Sequence, residues 1–524
     1  MNQSIRALGA LAISVLTVAA CGRSSSAPST AKTTLPVVSL AETGAFPLDA
    51  HVESADLASG AYTFERLQKA GAALFHTPFN GLDGVGIAVR PNGTRVARFA
   101  PLGPQGPAAQ SCGECHNTPV SSSGGLAHSS VVRDVLGKGT PPFDVRASTS
   151  LLGDGILQLL AEEMTEELQA ARSAAADAAK AAPGTAVNRP LRSKGTDFGS
   201  ITATATTAGQ VTFDVSKVAG LDPDLVVRPM GWKGDDPIVR NIVVFASGLG
   251  MGMQPEEMVW KTPGGDGRRD LDGDGVSREL SVGDITAMTI YTAALETPTE
   301  LARLVSLGYV QAPSNDDRAR IEAGRALFSS IGCSSCHTPE MPLLNTRFEE
   351  PTLRGNGNYY DAALAKLDPN YDPKRPASFD VLKDAKPPRA EARAAGGATI
   401  RLYGDLKRHA MGRLLADRGP GEPDTADTEA LKYDGKVVKI PADHFLTAEL
   451  WGVGNTGPYL HDNRAGTLRE AILFHGEDQP PAPGQPGRSE AQEARDAFKA
   501  RTAAEQESLL AFLLSLRTFS PEQR

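Results

Sequence analysis

Cysteine is scarce in this sequence, with 5 residues among 524, and histidine and tryptophan are nearly as rare, with 9 and 3. So few cysteines exclude a disulfide-stapled scaffold, which is dense in cysteine for its length. Positive charge is also in deficit, because the formal net charge is −9. An acidic chain attracts neither nucleic acid nor an anionic membrane surface, so neither is expected as its main partner.

Long apolar runs are absent beyond the N-terminus, so no other segment is expected to span a membrane. Of all residues, 40% are hydrophobic and 22% are charged, which is ordinary for a soluble globular protein. The length predicts about three domain-sized pieces with room for a large core.

The first residues, MNQSIRALGALAISVLTVAAC, are typical of a secretory signal: Arg6, an apolar stretch and small residues before Cys21. VAAC resembles a bacterial lipoprotein processing site, which would make Cys21 the lipidated first residue of the mature chain. A plain signal peptide is the alternative, and both place the protein outside the cytoplasm. The small, polar residues that follow predict a flexible tether over residues 22–60.

Four of the five cysteines fall in two copies of one motif, C-x-x-C-H. The copies are QSCGECHNTP, with Cys112, Cys115 and His116, and IGCSSCHTPE, with Cys333, Cys336 and His337. Cysteines three apart lie on one face of a helical turn, where both sulfurs reach the two vinyl groups of one porphyrin, and the next residue offers an imidazole to the iron. The motifs therefore predict two covalently bound haem c groups.

A zinc site and a redox-active disulfide are the alternatives. A structural zinc ion takes four ligands in a closed tetrahedron, and a redox disulfide needs only the two cysteines. Neither requires a histidine after the second cysteine in both copies.

An internal repeat surrounds the two motifs. LQKAGAALFHTPF precedes the first and IEAGRALFSSIGCSSCH contains the second, so A-G-x-A-L-F leads into each. Downstream, SVGDITAMTIYTAALETP and EQESLLAFLLSLRTFSPE have apolar residues at helical spacing and end near Pro298 and Pro521. Each motif is thus predicted to lie between the same two helices, as in a duplicated domain.

The order helix, C-x-x-C-H, helix resembles the small all-α cytochrome c domain, and the duplicated pair resembles the bacterial di-haem cytochrome c peroxidases and MauG-like enzymes. It is most similar to a peroxidase-like di-haem family labelled thiol oxidoreductases, over most of the chain after about Ala61. The motifs that carry this resemblance are VRPMGWKG, DLDGDGVSRELSVGDITAMTIYTAAL, DLKRHAMGRLLAD and LWGVGNTGPYLHDNRAGTLREAILFHGED.

The resemblance implies a mainly α fold, with two cytochrome c-like haem domains packed together and a long inserted region between the haem sites. The expected domains are the signal peptide (1–21), the tether (22–60), an N-terminal haem domain with the insertion (61–310) and a C-terminal haem domain (315–524). Within the insertion, ELQAARSAAADAAKAAPG predicts a surface helix and SITATATTAGQVTFDV a short hairpin.

His116 and His337 supply one axial ligand each, so function depends on the other side of each iron. In the peroxidase relatives the C-terminal haem takes its second ligand from the end of the helix after PYxHD, which is His475 here. The sequence supports this independently, because Thr467 and Glu470 form a capping box and His475 lies on the apolar stripe of the predicted helix. A core histidine is the alternative reading, and the competing ligands are His409 and Met411.

The N-terminal haem is expected to have an exchangeable site. The resemblance implies that His128 can close its distal side and that RASTSLLGDGILQLLAEEM lines the pocket. Peroxide cleavage needs a base, a task suited to Glu162 or Glu163, although paired glutamates are usually a solvated helix face. Trp232 and Trp451 lie in family-like motifs and are candidates for the indole that bridges the haems, or for core packing.

The loop DLDGDGVSREL is rich in oxygen ligands suited to Ca²⁺. These are Asp270, Asp272, Asp274 and Glu279. The EF-hand spacing fails, because its twelfth position is Ser281, and a turn that binds nothing is the alternative.

Together these features predict an exported, lipid-anchored di-haem oxidoreductase that reduces peroxide at the N-terminal haem. Its electrons would come from a small redox protein through the C-terminal haem. The alternatives are an electron-transfer cytochrome with both irons six-coordinate, and an oxygenase acting on an alkene-type substrate, because related di-haem proteins cleave polyisoprene.

Overall fold

The chain is described by a computed structural model over most of its length after residue 50. The described residues are 51–85, 109–124, 131–134, 143–261, 269–271, 273–355, 360–417, 422–423, 431–481 and 486–520. Cys21, His128, Asp272 and most of the tether lie outside them, so the expectations placed there remain predictions.

Helices begin where a serine or threonine caps an apolar repeat. Thr63 and Ser314 each accept a hydrogen bond from a first-turn amide, and Ser281, Thr467 and Thr502 form complete capping boxes. The helices are α1 (Ser54–Ser59), α2 (Phe64–His76), α3 (Cys112–Cys115), α4 (Asp154–Ala181), α5 (Val239–Ala246), α6 (Glu256–Lys261), α7 (Val282–Ala293), α8 (Leu301–Ser306), α9 (Asn315–Ser330), α10 (Leu364–Leu367), α11 (Leu468–Leu473), α12 (Gln492–Lys499) and α13 (Ala503–Leu514).

The predicted repeat is confirmed by two helix pairs, α2 with α7 and α9 with α13. Both pairs cross at the glycine of the A-G-x-A-L-F motif. A Cβ on Gly71 would overlap the carbonyl oxygen of Ala287, and one on Gly324 would overlap that of Ser508. Glycine therefore allows each pair of backbones to touch, which is why the motif recurs.

Strands are short and pair in small antiparallel sheets. They are β1 (Val131–Asp134), β2 (Phe143–Arg146), β3 (Val187–Ser193), β4 (Thr196–Ala205), β5 (Val211–Asp214), β6 (Thr299–Glu300), β7 (Met341–Leu343), β8 (Arg347–Glu350), β9 (Ala377–Asp380), β10 (Glu391–Ala392), β11 (Ala398–Ile400), β12 (Arg408–Ala410), β13 (Glu422–Pro423), β14 (Lys432–Tyr433), β15 (Lys436–Val437), β16 (Lys439–Ile440), β17 (His444–Leu446) and β18 (Leu516–Arg517). The sheet orders are β1-β2, β3-β4-β5, β10-β11-β7, β8-β9, β12-β17, β13-β16, β14-β15 and β18-β6.

The predicted hairpin in the insertion is confirmed as β4 and β5, to which β3 adds a third strand. The predicted surface helix is the second half of α4, and it is less exposed than expected. Ala175 and Ala179 are fully buried, because α4 lies against β3 and β4.

The expectation of a mainly α fold is wrong. The described residues are 34% helical and 16% strand, in many small sheets, and so do not form a mainly α cytochrome c-like fold. The whole chain has 53 glycines and 37 prolines. Outside the repeat these residues interrupt the sequence too often for long helices to form. Among the described helices, none has both the length and the apolarity needed to cross a membrane.

Candidate functional site

The first C-x-x-C-H motif forms a single helical turn. Cys112 and Cys115 begin and end α3, and His116 follows as its C-cap. The His116 Nδ1 atom lies 3.1 Å from the carbonyl oxygen of Ser123 and 3.0 Å from that of Thr149. A carbonyl accepts only from N–H, so Nδ1 carries the proton and Nε2 keeps its lone pair. Burial lowers the pKa of His116, which favours this neutral, metal-binding form.

The second motif repeats this arrangement. Cys333 opens a 3₁₀ turn, and His337 Nδ1 lies 3.0 Å from the carbonyl oxygen of Tyr403. Burial, and next the proximity of His475, lower the pKa of His337 to about 4. Both motif histidines are therefore neutral at pH 7, with Nε2 available as a ligand.

Each motif histidine contacts the phenylalanine of its own A-G-x-A-L-F segment. The ring centroids of Phe75 and His116 are 6.3 Å apart, and those of Phe328 and His337 are also 6.3 Å apart. The two sites are thus geometric copies, built by equivalent residues of the repeat.

His475 lies beside His337, just beyond the end of α11. Its Nδ1 is 2.7 Å from the carbonyl oxygen of Ala471, so Nε2 is again the free nitrogen, and burial lowers its pKa. The ring centroids of His337 and His475 are 6.4 Å apart. Two imidazoles on opposite sides of one metal ion, each bound at about 2 Å with roughly 1 Å from nitrogen to ring centre, would be about 6 Å apart. The pair therefore fits a single six-coordinate haem iron.

The competing ligand His409 has no free nitrogen. Its Nε2 lies 2.9 Å from Asp405 and its Nδ1 2.7 Å from Glu490. Burial opposes protonation, but the hydrogen bonds to Asp405, Cys336 and Glu490 raise the pKa of His409 to about 11. An imidazolium cannot bind iron. Met411, the other competitor, lines the same cavity as His475.

A cavity of about 650 Å³ surrounds His337 and His475, which is large enough for an organic cofactor. Cys333 and Cys336 lie in its wall, together with apolar side chains such as Phe328, Leu468 and Ile472. It also reaches Thr149, whose carbonyl holds His116. The donors and the apolar wall fit a porphyrin joined to the two cysteines.

The alternatives for the cysteines fit less well. Burial, and next the neighbouring Cys115, raise the pKa of Cys112 to about 12, and burial raises that of Cys333 to about 11. Redox-active thiols need a lowered pKa, and the described cysteines are unpaired. Within the described residues, the one cluster of three metal-binding side chains is Cys336, Asp405 and His409, whose histidine is already bound by two carboxylates.

Glu162 and Glu163 are both buried, contrary to a solvated helix face, and they differ in their partners. Glu163 accepts hydrogen bonds from Lys194 Nζ and from the amides of Leu344 and Asn345, which leave it little capacity as a base. Burial raises the pKa of Glu162 to about 7. Neither is among the residues of the 650 Å³ cavity.

Trp232 and Trp451 both line this cavity. The Trp232 indole donates to the carbonyl oxygen of Ala147 at 2.8 Å. Trp451 fills the space where Gly153, at the start of α4 with φ +87°, has no side chain. The structure thus brings both indoles to the cavity that holds the second motif.

The predicted calcium loop makes its own hydrogen bonds. Asp270 accepts from the amides of Gly273 and Gly275, and Glu279 accepts from the amide and side chain of Gln254. Asp274 is half-buried, and burial raises its pKa. Calcium remains a prediction.

Two cavity residues escape the sequence analysis, Asp154 and Glu449. Asp154 opens α4 inside a segment already considered for Glu162 and Glu163, and Glu449 precedes Trp451 by two positions. An acidic residue at a helix start is ordinary, because it complements the helix dipole. Only the fold shows that both carboxyls face one cavity.

Comparisons with known proteins add little to this geometry. A scan of protein-family models and a search of curated proteins return no match. Among solved structures, the chain is similar to a MauG-like protein associated with microbial copper homeostasis, at 17% identity and a TM-score of 0.28. The similarity covers 62% of this chain and 81% of that one.

Proposed function

We propose that the chain is an exported di-haem c-type oxidoreductase that reduces peroxide at the first motif, with electrons passed through the second. The observation that carries this proposal is the pairing of His337 with His475, at 6.4 Å between ring centroids, in the cavity that holds Cys333 and Cys336. The covalent haems would supply the redox-active iron.

The two sites suit different tasks. At the second, imidazoles on both sides would leave the iron no open position, which suits electron transfer. At the first, the described ring partner of His116 is Phe75, and His128, which is expected to close the distal side only reversibly, lies outside the described residues. We therefore assign the chemistry to the first site, with Trp232 and Trp451 between the two.

The reaction must balance electrons and protons. Breaking the O–O bond of hydrogen peroxide to give two waters consumes two electrons and two protons. A small redox protein would supply the electrons. Of the two glutamates at α4, Glu162 is the better proton carrier, because its pKa of about 7 allows both gain and loss near neutrality.

Low-temperature electron paramagnetic resonance of the oxidised holoprotein tests this assignment. We expect one low-spin signal from the second site and, at the first, a signal that changes on adding cyanide or peroxide. Two low-spin signals without response to either ligand would favour the electron-transfer cytochrome. Oxygen consumption with an alkene, in place of peroxide turnover, would favour the oxygenase.

Export and anchoring belong to the same proposal and are tested at Cys21. Replacing Cys21 with serine should release the protein from the membrane fraction and leave both haems attached, because Cys21 is far in sequence from either motif. Fractionation with haem staining measures both. Membrane retention of the variant would contradict the lipid anchor.

A further inference from the structure

Asp154 and Glu449 form a pair of carboxyl groups in the wall of the 650 Å³ cavity. Each belongs to a segment that holds one motif histidine. Asp154 follows Thr149, whose carbonyl oxygen accepts from His116. Glu449 precedes Leu450, whose amide donates to Tyr403, the residue whose carbonyl oxygen accepts from His337. The pair thus shares the cavity that holds the second motif, and one of its two carboxyls comes from the segment that also contacts His116.

No positive charge compensates this pair in the described part of the chain. Asp154 is 6% exposed, and its side chain makes no described hydrogen bond. Around it, α4 contacts the indole of Trp451 and the backbone of Ala293 on α7, neither of which is charged. Glu449 is the one ionisable neighbour that perturbs Asp154.

Most other titratable groups of the cavity wall have a lowered histidine pKa or an ion-pair partner. His337, His461 and His475 have lowered pKa values because they are buried. His409 is paired with Glu490, and Arg495 with Asp478 and Asp496. The remaining ones are Glu493, Arg501 and Tyr459.

A carboxyl that is removed from water and has no cation beside it keeps its proton to a higher pH than an exposed one. Burial, and next the charge of Glu449, raise the pKa of Asp154 to about 8, and burial raises that of Glu449 to about 7. Such groups gain or lose a proton in response to one nearby charge, because an added negative charge raises their pKa further.

We propose that Asp154 and Glu449 are a redox-linked proton site, which takes up a proton when an electron enters the cavity and releases it when the electron leaves. This inference rests on the proposed di-haem function. The electron comes from the redox partner and the proton from water, so each one-electron reduction adds one proton and the net charge of the cavity is unchanged. Two such carboxyls match the two protons that peroxide reduction consumes.

The test is the midpoint potential of the second haem as a function of pH, from about pH 5 to pH 10. We expect a potential that is nearly constant at the acid end, where the pair holds its protons in both redox states. Above pH 7 to 8 the midpoint potential should fall by up to 59 mV per pH unit. This slope is expected when one proton accompanies one electron, because 59 mV corresponds to a tenfold change in the equilibrium constant of a one-electron couple. A potential independent of pH would overturn the proposal.

Variants assign the effect to the pair. Asp154→Asn should remove the step near pH 8, and Asp154→Glu should retain it. Glu449→Gln should remove the step near pH 7 and lower the pH of the Asp154 step, because it removes the repulsive charge. Asp83→Asn is the matched control, because Asp83 is also buried with a pKa raised by burial but does not line the cavity. A slope unchanged by both Asp154→Asn and Glu449→Gln would overturn the proposal.

Two further readouts keep the result decisive. Redox-difference infrared spectra of the unmodified holoprotein near pH 8 should gain a protonated carboxyl band on reduction, even if a variant fails to fold, and its absence would count against the pair. Haem content separates this inference from the function on which it rests. A chain that binds no haem contradicts the proposed function, whereas two attached haems with constant potentials contradict only the proton site.

Discussion

His475→Ala is expected to convert the second haem from low spin to high spin. The His337 and His475 rings are 6.4 Å apart, and Nδ1 of each is bonded to a backbone carbonyl oxygen, so His475 would be the residue that closes the sixth position of the proposed second haem. Without its imidazole the position would be open or hold water, a weaker ligand. Electron paramagnetic resonance should show a new high-spin signal, an unchanged first haem and slower peroxide turnover.

His475→Met tests the same ligand through the potential. Thioether ligation favours the reduced iron, so the midpoint potential of the second haem should rise. Met411→Ala is the control, because Met411 lines the same cavity and is the competing thioether ligand. His409→Ala should leave the spin state unchanged and destabilise the fold, because it removes the partner of the buried Asp405. A high-spin second haem in either control, and not in His475→Ala, would contradict the ligand assignment.

The fold was predictable where one physical pattern dominates a segment. The four helices around the motifs follow from apolar spacing and hydroxyl caps. The glycine of A-G-x-A-L-F is needed because a Cβ on Gly71 or Gly324 would overlap the backbone of the partner helix. The small sheets were not predictable, because strands as short as β12 have no periodicity of their own. Their pairing with a distant segment, here β17, decides their conformation.

The candidate site shows the same division. The motifs and the capping box drew attention to His337 and His475, and the structure adds their separation. The sequence could not show that Glu163 is bonded to Lys194, because Lys194 is 31 positions away, between β3 and β4. For Asp154 and Glu449 the signal is an absence of compensating charge, which is a property of three-dimensional surroundings and is invisible in a single sequence.

A buried ion cluster beside the cavity carries the largest expected effect on stability. The Arg146 guanidinium donates two hydrogen bonds of 2.8 Å to Asp417, and Lys233 Nζ lies 2.8 Å from the same carboxylate. The Arg146 side chain is 8% exposed, that of Lys233 is 1% exposed and that of Asp417 is 2% exposed. Arg146 and Lys233 precede the second motif and Asp417 follows it, so one carboxylate joins the two halves of the sequence.

The same cluster orders the wall of the cavity. Ala147, next to Arg146, donates its amide to the carbonyl oxygen of His461 and accepts from the Trp232 indole. Burial alone would raise the pKa of Asp417. The hydrogen bonds and positive charges of Arg146 and Lys233 outweigh burial, so the pKa of Asp417 is lowered. A lowered carboxyl pKa contributes stability above the unfolded value of about 4, and this contribution is lost as the pH falls through the folded value.

Asp417→Asn should therefore destabilise the protein by about 3–5 kcal/mol at pH 7, because it removes the buried carboxylate that both cations contact. The difference from the unmodified protein should shrink at acid pH, where Asp417 itself becomes protonated. Urea unfolding of the holoproteins measures both. Asp177→Asn is the control, because the Lys180 and Asp177 side chains are 53% and 77% exposed, and an exposed pair contributes about 0–1 kcal/mol. Equal losses in the two variants would show that Asp417 is not the anion on which this cluster depends.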